Sequence, residues 1–121
     1  MLSADRMKEL FQAIDDKNGD RFVTFLTENA RFKFGNADAV EGRAAILQAV
    51  VAFFASIQKV EHQLLESCRE RELVFCRGTV TYTRHDGTRL AVPFANFFKM
   101  SGDLISQYQI YVDTSELYAR T

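Results

Sequence analysis

Apolar residues recur at helical spacing near the start of the chain. Met7, Leu10, Phe11 and Ile14 follow Ser3, a good helix N-cap, and predict an amphipathic helix over about residues 4–16. Lys17 to Gly19 should end it, and Asp20 can cap a second, shorter helix that buries Phe22, Phe25 and Leu26. Ala30 to Phe34 alternates as ARFKF and predicts a strand with Phe32 and Phe34 on one face. A third helix is expected near residues 43–57. One apolar stripe runs through Ile46, Val50, Phe53 and Ile57 and another through Leu47, Val51 and Phe54, so the helix should be covered on most sides.

The remaining half reads as an antiparallel meander, with strands near 60–69, 73–84, 89–100 and 104–112. Asp86-Gly87 is a two-residue hairpin signal. A type I′ turn there puts His85 opposite Thr88 and pairs Tyr82 with Ala91, Val80 with Pro93 and Gly78 with Ala95. Centring the preceding turn on Arg71 places His62 opposite Tyr82, Leu64 opposite Val80 and Cys68 opposite Cys76. One sheet face then carries His62, Leu64, Val80, Tyr82, Ala91, Pro93, Ala95 and Phe97 and should meet the helices. The other carries Arg77, Thr79, Thr81, Thr83, Val92, Phe94, Asn96 and Phe98. Three large apolar residues among threonines are more than a solvent face usually shows, which predicts a homodimer through this outer face.

Composition narrows the classes. The 121 residues suit a single domain spanning the chain, and 47% hydrophobic with 12% aromatic content supplies a core and a lined cavity. Fifteen basic and sixteen acidic residues balance to −1 without a cationic stripe, which argues against a nucleic-acid partner. The opening MLSADRMKEL carries charges throughout, so neither a membrane segment nor a signal peptide is expected and a cytoplasmic location follows by default. Cys68 and Cys76 lack metal-site spacing and read as reduced packing thiols. No metal or cofactor is expected.

The helix, the NGD turn, a second helix, FLTENARF, AVEGRAAI, VPFANFFKMSGDLI and QIYVDTSEL follow one another in an order that covers nearly the whole chain. This order resembles the ketosteroid isomerase and SnoaL-like branch of the nuclear transport factor 2-like superfamily. The resemblance implies an α+β fold, related to the cystatin-like barrel, in which a curved antiparallel sheet wraps as a cone around about three helices and encloses a pocket. It also implies where acid-base groups would stand. The isomerases' general base falls on Phe34, their oxyanion-hole aspartate on Ala95, and the acid of limonene epoxide hydrolases and SnoaL-type cyclases on Ile110. All three are apolar here. Scytalone dehydratase, another relative, works with histidines, Asp, Tyr and Asn, of which only His62 finds a match.

His62 interrupts the apolar alternation Val60-x-His62-x-Leu64 and is the candidate base, with Tyr82 across from it, or Tyr108, as the donor that polarises the substrate's oxygen; the imidazole could instead simply orient a ligand's oxygen. The competing reading is a satisfied core or interface histidine. Tyr108 joins the same cavity if Lys99 opposes Leu104, beside Ala95; a three-residue turn would reverse its facing. Phe32, Phe34 and Phe53 would form an aromatic wall, with Val80, Ala95, Phe97 and Ile110 completing the lining for a small hydrophobic molecule. Core packing explains these residues equally well. IDDKNGD resembles a calcium loop but has no Glu at the twelfth position, so Asp15, Asp16, Asn18 and Asp20 read as a helix-capping turn. Two functions follow from different classes: a cofactor-independent isomerase, lyase or cyclase, or a non-catalytic module that binds an apolar ligand or a protein.

Overall fold

The computed structural model describes residues 2–118. Helix α1 spans Ala4–Asp15, capped by Ser3, whose hydroxyl accepts from the Arg6 amide at 3.1 Å. Its apolar stripe buries Met7, Leu10 and Phe11. Helix α2, Gly19–Val23, is capped by Asn18 and not by Asp20: the Asn18 side chain accepts from the Arg21 amide at 3.0 Å. Strand β1 (Leu26–Phe34) and the short β2 (Val40–Glu41) precede helix α3, Arg43–Ala55. The guanidinium of Arg43 donates to the Leu26 carbonyl, tying the start of α3 to β1. On α3, Ile46, Val50 and Phe54 are buried while Val51 is exposed, so the helix is covered on one broad side only.

Four long strands follow: β3 (Lys59–Glu70), β4 (Leu73–Thr83), β5 (Arg89–Ser101) and β6 (Leu104–Val112). The sheet runs β2-β1-β6-β5-β4-β3. Four of its pairings are antiparallel, whereas β1 lies parallel to β6, which brings Phe34 beside Ile110 and Phe32 beside Tyr108. The curved sheet and three helices form the expected α+β cone.

Strands β3 and β4 come close together at Gly78. A Cβ on Gly78 would lie 2.0 Å from the Gln63 carbonyl oxygen, so only glycine lets the two backbones approach this closely. Immediately beyond, the register shifts between Leu64 and Glu66.

Strand boundaries follow the sequence, but registers do not. The β4–β5 hairpin closes as a three-residue loop, His85-Asp86-Gly87, between Arg84 and Thr88. The Arg84 amide donates to the Thr88 carbonyl at 2.8 Å and the Gly87 amide to the Arg84 carbonyl at 2.9 Å, with Gly87 at φ +88°. The Asp86 carboxylate secures the turn by accepting from the Thr88 amide at 2.9 Å. This is one residue more than a type I′ loop. Tyr82 therefore opposes Leu90, Val80 opposes Val92 and Gly78 opposes Phe94.

A one-residue slip exchanges the faces of β5. Leu90, Val92, Phe94, Asn96 and Phe98 turn inward, and Ala91, Pro93, Ala95 and Phe97 turn outward. The three residues on which the expected homodimer rests, Val92, Phe94 and Phe98, thus face the interior; Phe75, Phe97 and Tyr111 stand on the outer face instead. In the β3–β4 pair, His62 opposes Val80, Val60 opposes Tyr82 and, past the bulge, Ser67 opposes Cys76, so the two cysteines are not cross-strand neighbours.

Candidate functional site

The helices and the concave sheet face leave a cavity of about 230 Å³. Its wall is aromatic. Phe34 packs on Phe53 with ring centroids 4.9 Å apart, and Phe53 meets Tyr82 edge to face at 5.9 Å. Tyr108 is wedged among Phe22, Phe32 and Phe98 at 5.4, 5.4 and 4.5 Å. Among the lining residues, Ala37 and Asp38 are exposed and mark the mouth, in the loop between β1 and β2.

One interaction gives this chamber chemical character. The Asp15 carboxylate accepts from His62 Nδ1 at 2.7 Å and, through its other oxygen, from the His62 backbone amide at 3.1 Å. Sequence brings the two together through the end of α1. Lys17 adopts a left-handed φ of +55° and its ammonium donates to the carbonyls of Ile57 and Gln58, at 2.9 and 3.2 Å, just before β3 begins. The last turn of α1 is thereby fastened to the start of β3, with Asp15 beside His62. Phe11, one turn before Asp15, stacks on the imidazole at 5.0 Å, and Phe94 meets it edge to face at 5.1 Å.

Only 12% of the His62 side chain is exposed. With Nδ1–H given to Asp15, the neutral ring carries its free lone pair on Nε2, which has no partner among the described residues. A fixed tautomer with an open second nitrogen can act as a general base. The sequence alone puts Asp15 in a capping turn. Its position four residues after Phe11, on the stripe facing the sheet, is the signal that points to the sheet instead.

The other candidates divide. Phe32, Phe34, Phe53, Val80, Tyr82, Tyr108 and Ile110 line the cavity with His62. Ala95 and Phe97 do not, because the longer hairpin loop turns them outward, where Phe97 stacks on Phe75 at 5.2 Å. Tyr82 lines the chamber but stands opposite Val60, so it is not the cross-strand partner of His62. Tyr108 points inward for a reason the sequence does not supply. It opposes Phe98, and a register shift between Lys99 and Met100 offsets the two-residue Gly102-Asp103 turn, so two register errors cancel. Asn96, expected outside, lines the cavity and is 3% exposed. Since Ala95 faces away, the inward-facing group on this stretch of β5 is the Asn96 carboxamide.

Burial pushes the hydroxyl of Tyr108 well above the ordinary phenol range, with the Cys76 charge adding to it, and does the same to Tyr82, helped by Tyr118. Both phenols stay protonated near neutral pH and can donate. Cys76 is pushed up to about 12 by burial, while Cys68 lies exposed. Iodoacetamide should therefore alkylate Cys68 in the native protein and reach Cys76 only on unfolding; mass spectrometry showing equal native rates would contradict this placement.

The segment after β6 is fastened to the end of β4. Leu117 is buried at 1% exposure, and Arg84 donates to the carbonyls of Leu117 and Glu116 at 2.9 and 3.0 Å. Among the described residues no cluster of His, Cys, Asp and Glu could hold a metal ion, and no helix is long and apolar enough to cross a membrane.

A family model described as the SnoaL-like domain matches residues 7–108. The chain belongs to the SnoaL-like domain family. Solved structures agree on its architecture. An NTF2-like protein of unknown function from Burkholderia pseudomallei is 14% identical with a TM-score of 0.83, over 92% of this chain and 90% of that one. A protein with a ketosteroid isomerase-like fold from Catenulispora acidiphila, solved in complex with trimethylamine, is 18% identical with a TM-score of 0.82, over 90% and 85%. A candidate SnoaL-like polyketide cyclase from Jannaschia is 15% identical with a TM-score of 0.77, over 96% and 90%. No curated protein matches the sequence. At these identities the likeness is one of fold.

Proposed function

We propose that this SnoaL-like domain is an enzyme that moves a proton on a small apolar substrate bearing a carbonyl or hydroxyl group, as an isomerase, lyase or cyclase acting without a cofactor. The observation that carries the proposal is His62 in the wall of a largely apolar chamber, held there by the Asp15 carboxylate. Isomerisation, loss of a β-hydroxyl and aldol-type ring closure share a first step. His62 Nε2 takes a proton from the carbon next to a carbonyl: the C–H bond breaks, an N–H bond forms, and the electron pair moves to the carbonyl oxygen. Asp15 stabilises the imidazolium that results. A neutral phenol, Tyr108 or Tyr82, supports the developing oxyanion by donating its proton in a hydrogen bond. Return of the proton to another carbon, departure of hydroxide as water, or attack of the enolate on a second carbonyl then distinguishes the three outcomes.

The polyketide cyclase and ketosteroid isomerase-like neighbours support this class of reaction without selecting a member. The apolar residues at the family's acid positions, Phe34 and Ile110, leave His62 as the base. A direct test needs no knowledge of the natural substrate. Tetralone dissolved in D2O should lose its α-proton NMR signals faster with the protein than with buffer, and the rate should saturate with ketone. Tetralone that binds yet exchanges at the buffer rate would turn the reading to a ligand-holding module.

A further inference from the structure

The chamber is surrounded by charge of one sign. Asp38 is the only carboxylate in the lining, and no lysine or arginine stands there with it. Behind His62 lies a second carboxylate, Asp15. Lys17 and Lys33 give their ammonium groups to backbone carbonyls, those of Ile57 and Gln58 at 2.9 and 3.2 Å and that of Ala37 at 3.1 Å, and neither lysine lines the chamber.

The loop after β1 holds Asp38 at the mouth. Gly35 takes a left-handed φ of +54° and its amide donates to the Ile110 carbonyl at 2.9 Å, while the Ala37 amide donates to the Phe34 carbonyl at 3.0 Å. The chain thus doubles back, and Asp38 shares the lining with Phe34. Phe34 and Phe53, with ring centroids 4.9 Å apart, are only partly buried. Aromatic faces are negative, so they attract a cation within about 6 Å and repel an anion. A carboxylate entering here would lose its hydration without gaining a counter-charge; an ammonium at the mouth keeps water on one side and finds Asp38 on the other.

Size sets the rest of the ligand. A dry cavity of about 150 Å³ accommodates benzene, so about 230 Å³ takes on the order of ten heavy atoms.

We propose that Asp38 is a specificity-determining residue: the chamber selects a molecule of one or two rings that bears an ammonium group, seated at the mouth against Asp38 and the faces of Phe34 and Phe53, and turns away carboxylates of the same size. The proposal rests on reading the chamber as a substrate site, and it adds a charged end to the carbonyl- or hydroxyl-bearing substrate of the proposed reaction.

The test is a set of calorimetric titrations with three probes of one shape: 2-aminoindane, indane and indane-2-carboxylate. 2-Aminoindane should bind about tenfold more tightly than indane, and the carboxylate should not bind measurably. Asp38→Asn should weaken 2-aminoindane about threefold, the share of an exposed ion pair, and leave indane unchanged. Asp38→Lys should reverse the order, admitting the carboxylate ahead of the amine. Raising salt from about 0.02 to 0.5 M should weaken 2-aminoindane in the unaltered protein and not in Asp38→Asn. The side chain is exposed in a loop, and thermal melts should confirm that both variants fold. Equal affinity for the amine and the carboxylate, or an amine affinity indifferent to both substitutions, would overturn the proposal. 2-Aminoindane bound as described by a protein that does not speed tetralone exchange would defeat the catalytic reading alone; catalysed exchange with no preference among the three indanes would defeat the charge selection alone.

Discussion

Replacing His62 by glutamine is expected to slow protein-catalysed α-proton exchange of tetralone by about 10²–10⁴-fold while tetralone affinity changes little, since this is the usual contribution of a positioned general base. Glutamine is similar in length and keeps a polar end in the space beside Phe11 and Phe94, but it cannot accept a proton at neutral pH. The comparison therefore isolates basicity from packing. Asp15→Asn should act in the same direction for a different reason. The carboxamide can still accept from the His62 amide, yet its NH2 group can donate to Nδ1 and shift the ring proton to Nε2, removing the lone pair the reaction uses. Asp15 is in this sense a positioning residue: its loss should alter the imidazole tautomer as well as the rate. An exchange rate in His62→Gln equal to that of the unaltered protein would remove the imidazole from the mechanism.

Gly78→Ala should be the most damaging single methyl group in the molecule, with a loss of about 3–5 kcal/mol and a melting temperature lower by roughly 10–20 °C. The added Cβ would sit 2.0 Å from the Gln63 carbonyl oxygen, about half a normal contact distance, and the obstacle is backbone that cannot rotate away. Relief requires β3 to pull back from β4 at Gln63, next to His62, so surviving folded protein should also bind ketones less well. Gly102→Ala is the control. Gly102 has φ +62° and an added methyl there would meet nothing within 4 Å, so only the left-handed backbone penalises it, by about 1 kcal/mol. Equal melts for the two variants would contradict the close crossing of β3 and β4.

The fold was legible because its signals are local. The stripe Met7, Leu10, Phe11, the strand-like ARFKF and the order of segments around AVEGRAAI each reflect spacing within one element. Facing within a strand was legible too: Val80 and Tyr82 share the concave face, as expected. Register between strands was not, and the reason lies in β5. Both of its faces are largely apolar, Leu90, Val92, Phe94 and Phe98 on one and Ala91, Pro93, Ala95 and Phe97 on the other, so hydrophobicity cannot choose between them. The choice falls to the turn, where Asp86-Gly87 suits either a type I′ pair or the three-residue loop with a left-handed glycine. One residue of turn length moves Asn96 into the cavity and Ala95 out of it.

Asp15 is obscured differently. Its partner lies 47 residues away, and the contact depends on Lys17 fastening α1 to the strand entry, a tertiary bond with no sequence signature. The parallel pairing of β1 with β6, which sets Phe34 against Ile110 at the cavity rim, is equally remote in sequence.

The two histidines offer the most direct test of the proposed site, because their hydrogen bonds demand opposite tautomers. His62 gives Nδ1–H to Asp15 at 2.7 Å, whereas His85 meets the Ala55 carbonyl through Nε2 at 2.8 Å and must carry its proton there. Nitrogen-15 NMR of the neutral imidazoles should resolve one ring protonated at Nδ1 and one at Nε2, and adding tetralone should shift the Nε2 signal of the first ring while leaving the second unmoved. A His62 ring protonated at Nε2, or one indifferent to the ketone, would contradict a base held ready by Asp15 in a ligand-filled chamber.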